Sequence, residues 1–149
     1  MDIYEEAVMR YLTSGGTRFV SPQFSITKDY CVEWSCPDFV VIDFFDSTVY
    51  VAEVTSASNI NDLEKKILNK DEQWIKPLKL NMEKRSEIFK GWNYWVVVFI
   101  RKENIKKLRN VIKDISKVTI KSLDDIMYPW KWKWKDNHPI IDLKEDSMG

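Results

Sequence analysis

Residues 37–55 read PDFVVIDFFDSTVYVAEVT, and this stretch decides the fold. Asp38–Phe45 and Thr48–Thr55 are rich in Val, Ile, Phe and Tyr, with Asp46 and Ser47 as turn residues between them. That pattern predicts a β-hairpin. With Asp46-Ser47 as a two-residue loop, positions whose numbers sum to 93 face each other, so Asp38 is expected opposite Thr55 and Val40 opposite Glu53. Opposed residues share a face, as do residues two apart on a strand. Asp38, Glu53 and Thr55 are therefore expected on one side of the sheet, and Asp43 on the other.

Upstream, Ile3, Tyr4, Ala7, Val8, Tyr11 and Leu12 fall at helical spacing over residues 2–13, and Gly15-Gly16 ends that helix. Residues 18–26 look extended, with Pro22 confining them to an edge or a broken strand. Downstream, a helix is expected from about Ile60 to Ile75, with Asn59 as N-cap and Ile60, Leu63, Ile67 and Trp74 on one face. Pro77 should stop or kink it, and residues 80–90 suit a second short helix. Tyr94–Ile100 is a continuous apolar run of strand length, the mark of a strand covered on both faces. Residues 103–114 form another amphipathic helix, Val118–Ile120 a short strand, and 122–126 a helical turn. No repeat or linker divides the chain, so residues 1–149 are expected to form one α/β domain on a mixed sheet.

Composition narrows the function. With 44% apolar and 31% charged residues the chain is globular in type, and 149 residues suffice for a core. The 23 basic and 23 acidic residues cancel, which argues against coating nucleic acid by overall charge. A local basic rim around a site remains compatible with that balance. Cys31 and Cys36 have no further cysteine or histidine nearby to complete a zinc site, since His138 is distant. The acidic, amphipathic start does not resemble a signal peptide, and Trp95–Ile100 is far too short to cross a bilayer. A soluble, cytoplasmic protein without membrane contact is the expectation.

Pro37-Asp38 opening one strand, followed by Glu53-Val54-Thr55 closing the next, resembles the signature of the PD-(D/E)xK nucleases. The order helix-strand-strand-strand-helix-strand is similar to the core of that superfamily as well, over roughly residues 2–100. The resemblance implies a restriction-endonuclease-like α-β-β-β-α-β fold. It also implies metal-dependent hydrolysis of DNA phosphodiester bonds, with Asp38 and Glu53 holding Mg²⁺ or Mn²⁺. Paired carboxylates suit this chemistry, because Mg²⁺ takes hard oxygen ligands and keeps several waters. A water of lowered pKa can then attack the phosphodiester.

The family's Glu-x-Lys lysine is replaced here by Thr55, which can hydrogen-bond a water but brings no charge. In some relatives a lysine on the following helix takes that role. Lys66, Lys70 and Gln73 form such a stripe, and Lys70 lies nearest the apolar face. Relatives also often complete the metal shell from the first helix, where Glu5 borders the apolar side. The expected site is thus Asp38, Glu53, Thr55 and Lys70, with Glu5 as a third metal ligand. Glu53 is the sharpest candidate: it sits in VYVAEVT, which otherwise reads as buried, where a carboxylate needs a partner.

The Trp/Lys-rich segment at 128–139 alternates Trp and Lys over 130–135. As a strand it would put indoles on one face, for docking on the core or for a homodimer or larger assembly; alternatively the indoles would stack on bases. The expected function is a nuclease of phage, mobile-element or repair type. The alternatives are a catalytically inactive module of the same fold, binding protein or nucleic acid, and a nucleic-acid binder without chemistry.

Overall fold

The computed structural model describes residues 1–28 and 32–147. Cys31 lies outside the described residues, and Cys36 is exposed.

Helix α1 spans Ile3–Thr13. It begins at Asp2, whose Oδ1 accepts from the Glu5 amide at 2.8 Å and satisfies one of the amides left without a helical partner. Strand β1 (Arg18–Pro22) follows, then a small hairpin of β2 (Ile26–Lys28) and β3 (Val32–Ser35), then β4 (Phe39–Asp43) and β5 (Thr48–Val54). Helix α2 (Asn61–Leu68) leads through a π-turn (Asp71–Ile75) into α3 (Lys76–Arg85). Strand β6 (Asn93–Ile100), α4 (Ile105–Val111), β7 (Val118–Ser122) and the short α5 (Leu123–Ile126) complete the α/β part. A terminal hairpin of β8 (Lys133–Lys135) and β9 (His138–Ile140) comes last.

Five strands form one mixed sheet in the order β1-β4-β5-β6-β7. The first three are antiparallel neighbours, whereas β5, β6 and β7 run parallel. Parallel neighbours need crossovers, which α2–α3 and α4 supply. Both crossovers lie on one face, where Ile67, Trp74, Leu78 and Leu108 cover Val40, Val49, Val51, Val96 and Val98. On the opposite face Val8, Tyr11 and Leu12 of α1 cover Phe39, Val41, Tyr50, Ala52, Val97 and Phe99. The sheet is thus sandwiched, as the apolar runs of β5 and β6 require. Pro22 closes the edge strand β1, where its missing N–H costs no ladder bond.

The hairpin register differs from the expectation by two residues. β4 and β5 pair Phe39 with Ala52 and Asp43 with Thr48, so facing numbers sum to 91. Phe44–Ser47 form a four-residue loop in which Ser47 adopts a left-handed φ of 52°. The aromatic pair Phe44-Phe45, which looks like strand, lies exposed in that loop. A two-residue slip preserves side-chain parity, so each residue keeps its expected face.

Pro77 does not end the helix. The Lys76 amide bonds back five residues to Asp71, a π-turn that takes up the proline without a break. The Glu72 and Gln73 carbonyls, displaced from the α-pattern, both accept from the Trp34 indole Nε1 at 3.1 Å. Gln73 also accepts from the Ser35 hydroxyl at 3.2 Å. The β2–β3 hairpin is therefore fastened to the helix where the helix is irregular. Asn59 is not the N-cap, a place held by Ile60, although its Oδ1 accepts from the Asn61 amide at 2.9 Å.

The Trp/Lys segment is not a single strand. Pro129–Lys131 make a 3₁₀ turn, because Pro129 fixes a helical φ there, and only Lys133–Lys135 are extended. Trp130 is consequently parted from the other two indoles, whereas Trp132 and Trp134 stay stacked with ring centroids 6.1 Å apart. Trp132 packs edge-on against Tyr11, with ring centroids 5.3 Å apart, whereas Trp130 stacks on Tyr128 and stays exposed.

Candidate active site

Asp38 and Glu53 meet at one end of the sheet. Continuing the observed register one residue past Phe39–Ala52 sets them directly opposite each other, on the face covered by α2. Asp38 is held from two sides. Its carbonyl accepts from the Gln23 amide at 2.8 Å, just after β1, and its Oδ2 accepts from the Val54 amide at 2.7 Å. The Val54 N–H points toward β4, which has ended, so the Asp38 carboxylate stands in for the missing strand acceptor. One carboxylate oxygen is thus used to fix the geometry.

Glu53 is half-buried, and its carboxyl pKa is pushed up to about 8. Burial contributes most, followed by the hydrogen bond with the Asp38 carboxylate and then by its charge. The Lys66 ammonium and a backbone hydrogen bond from Asp38 pull the other way. Glu53 therefore holds its proton at neutral pH, beside the Asp38 side chain. A cation could take the place of that proton, and carboxylate oxygens are the donors that Mg²⁺ and Mn²⁺ favour.

Against family models, curated proteins and solved structures, the chain shows no match. The reading of the site therefore rests on its own geometry.

The remaining expected residues are placed differently. The Thr55 amide donates to the Phe99 carbonyl at 3.0 Å, and its hydroxyl accepts from the Ala57 amide at 3.2 Å, closing a turn in its own loop. Lys70 is turned away from the carboxylates. It pairs with Asp71 at 3.3 Å and lines a cavity with Asp114 and Ile115. The lysine that acts on Glu53 is Lys66. The cause is geometric: the crossover helix starts at the carboxylate end of the sheet and runs away from it, so Lys70 lies one turn, roughly 5.4 Å, further off.

Glu5 does not join the pair, because α1 packs through Val8, Tyr11 and Leu12 on the opposite face. Among the described residues no group of three or more His, Cys, Asp or Glu side chains could hold a metal ion together. Asp43 lies on the α1 face, as its parity requires, and there meets Arg18 at 2.9 Å. Lys66 was legible in the sequence as a member of the stripe. Handedness and direction of the crossover, not proximity to the apolar face, were the signal that singled it out.

Proposed function

We propose that this chain is a divalent-metal-dependent nuclease of the restriction-endonuclease-like fold, hydrolysing DNA phosphodiester bonds. The observation that carries the reading is the pair itself: Asp38 and Glu53, from adjacent strands, meet in a side-chain hydrogen bond at the end of a mixed sheet. The element order α1, β1, β4, β5, α2–α3, β6 matches the α-β-β-β-α-β order of that superfamily, with β2–β3 inserted.

Asp38 and Glu53 would hold Mg²⁺ or Mn²⁺, which when bound supplies charge neutralisation at the phosphodiester and a water of lowered pKa. The Val54 amide holds the Asp38 carboxylate in one orientation, so it would take an ion without a rotamer search. Lys66 provides the positive charge that Thr55 lacks. Phage, mobile-element or repair biology suits so small an enzyme, with a homodimer or larger assembly forming through the exposed Trp130 and Trp134. No described helix is long and apolar enough to cross a membrane. One observation favours a second reading, a catalytically inactive module of the same fold: the Thr55 hydroxyl is engaged in its own loop.

Titration calorimetry with Mn²⁺, paired with cleavage of linear, nicked and branched DNA, separates the two. The nuclease reading expects Mn²⁺ binding that Glu53→Ala abolishes, and Mg²⁺-dependent cleavage lost in Asp38→Ala and Glu53→Ala. Cleavage that survives both substitutions would place the chemistry elsewhere. No Mn²⁺ binding and no cleavage leave the inactive module.

A further inference from the structure

Lys121 lies on β7, in register with Phe99 of β6, on the face opposite Asp38 and Glu53. It is only 7% exposed, yet among the described residues it has no hydrogen-bond or ion-pair partner. The ammonium itself is not sealed off: it opens on the cavity that Lys121 lines, where an anionic group can reach and pair with it. Lys121 lines a cavity of about 400 Å³, large enough for a small organic molecule.

The walls and the mouth of the cavity differ in character. Tyr11, Ile126, Trp132 and Ile140 supply apolar and aromatic wall. Trp132 is fixed in place, because its Nε1 donates to the Ile126 carbonyl at 2.9 Å while its ring meets Tyr11. Nearer solvent, Lys133 and Glu145 cancel each other in an ion pair of 2.9 Å. What remains is Lys131 against Asp125, Asp142 and Asp146, all lining the same cavity. The carboxylates at Glu145, Asp142 and Asp146 favour the charged form of Lys121, while burial, the larger effect, lowers its pKa. Charge is therefore positive inside and negative at the mouth. A plain anion is repelled on entry and a plain cation meets Lys121 at the end. A molecule with a carboxylate at one end and an ammonium at the other satisfies both.

We propose that this cavity is a ligand site for a small zwitterion, bound with its carboxylate on Lys121 Nζ, its apolar middle against Trp132 and Tyr11, and its cationic end at Asp125 and Asp142. The site is independent of the carboxylate pair across the sheet.

Three probes test it on the full chain: 4-(aminomethyl)benzoate carries both charges, benzoate only the negative one and benzylamine only the positive one. Binding is followed by the Trp132 indole N–H resonance. The zwitterion should saturate that resonance with a Kd at least about tenfold below that of either half, about 1.4 kcal/mol. Lys121→Met should weaken it by about tenfold or more. Asp142→Asn combined with Asp125→Asn should erase its advantage over benzoate. Those two side chains lie at the mouth, so this variant decides the matter even if Lys121→Met fails to fold. Failure of all three probes to saturate the resonance at millimolar concentration overturns the proposal. So does benzoate binding as tightly as the zwitterion, or the zwitterion binding unaffected by Lys121→Met.

Discussion

Asp38 and Asp43 bracket one strand, five residues apart, and face opposite sides of the sheet. Asp38 turns to the α2 face and meets Glu53; Asp43 turns to the α1 face, where its Oδ2 lies 2.9 Å from Arg18 Nε. Two aspartates in one strand thus have separate tasks, set by parity alone.

Asp43 is structural. Its Oδ1 also accepts from the amides of Phe45 and Asp46 at 2.9 and 3.4 Å, shaping the hairpin loop. Both side chains of the ion pair are less than a tenth exposed. Asp43→Ala leaves Arg18 buried without its partner, and a loss of about 3–5 kcal/mol in urea unfolding is expected. Mn²⁺ binding per folded molecule should not change. A loss under about 1 kcal/mol would show that the pair is not desolvated.

Stability should depend on pH through Glu53. Its carboxyl titrates ordinarily at 4.5 and in the fold at about 8. Between those values the folded chain keeps a proton that the unfolded chain has released. Stability therefore falls as pH rises through that window and levels off above about 8. Glu53→Gln, neutral at every pH, removes this slope. Unfolding curves at pH 5 and 8.5 should show the variant gaining on the parent protein; parallel curves would mean that Glu53 is ionised throughout.

Metal affinity should carry the same signature. An ion that displaces the Glu53 proton competes with it, so the apparent Mn²⁺ Kd should weaken by about tenfold per pH unit below about 8 and flatten above it. Calorimetry in buffers of different ionisation enthalpy should register about one proton released per ion near pH 7. A pH-independent Kd would place the ion away from Glu53.

The π-turn and its indole clamp should be energetically coupled. Trp34→Phe removes the N–H shared by the Glu72 and Gln73 carbonyls and should cost about 1–2 kcal/mol. Pro77→Ala restores an amide able to serve Gln73, so the same Trp34 substitution should cost less in that background. A double-mutant cycle should return a coupling of about 0.5–1 kcal/mol. Additive effects would separate the indole from the proline.

Much of the site was legible because strand parity is local. Apolar runs on either side of residues 44–47 fix which side chains share a face, and any even slip of register leaves that unchanged. Which residues stand opposite was not legible, since Phe44-Phe45 look like strand by composition and were assigned to the loop by tertiary packing. Pro77 misled for a related reason. Its cost to an isolated helix is local, whereas the π-turn and the Trp34 indole that absorb it come from elsewhere in the chain.

The sequence by itself determined the α/β class, the paired central strands, the buried run of β6 and the common face of Asp38 and Glu53, because each follows from periodicities two to four residues long. Only the tertiary structure decided the partner of Asp38, the choice of Lys66 over Lys70, the exclusion of Glu5 and the division of the three indoles. Those depend on which helix covers which face and in which direction it runs, quantities that no local spacing contains.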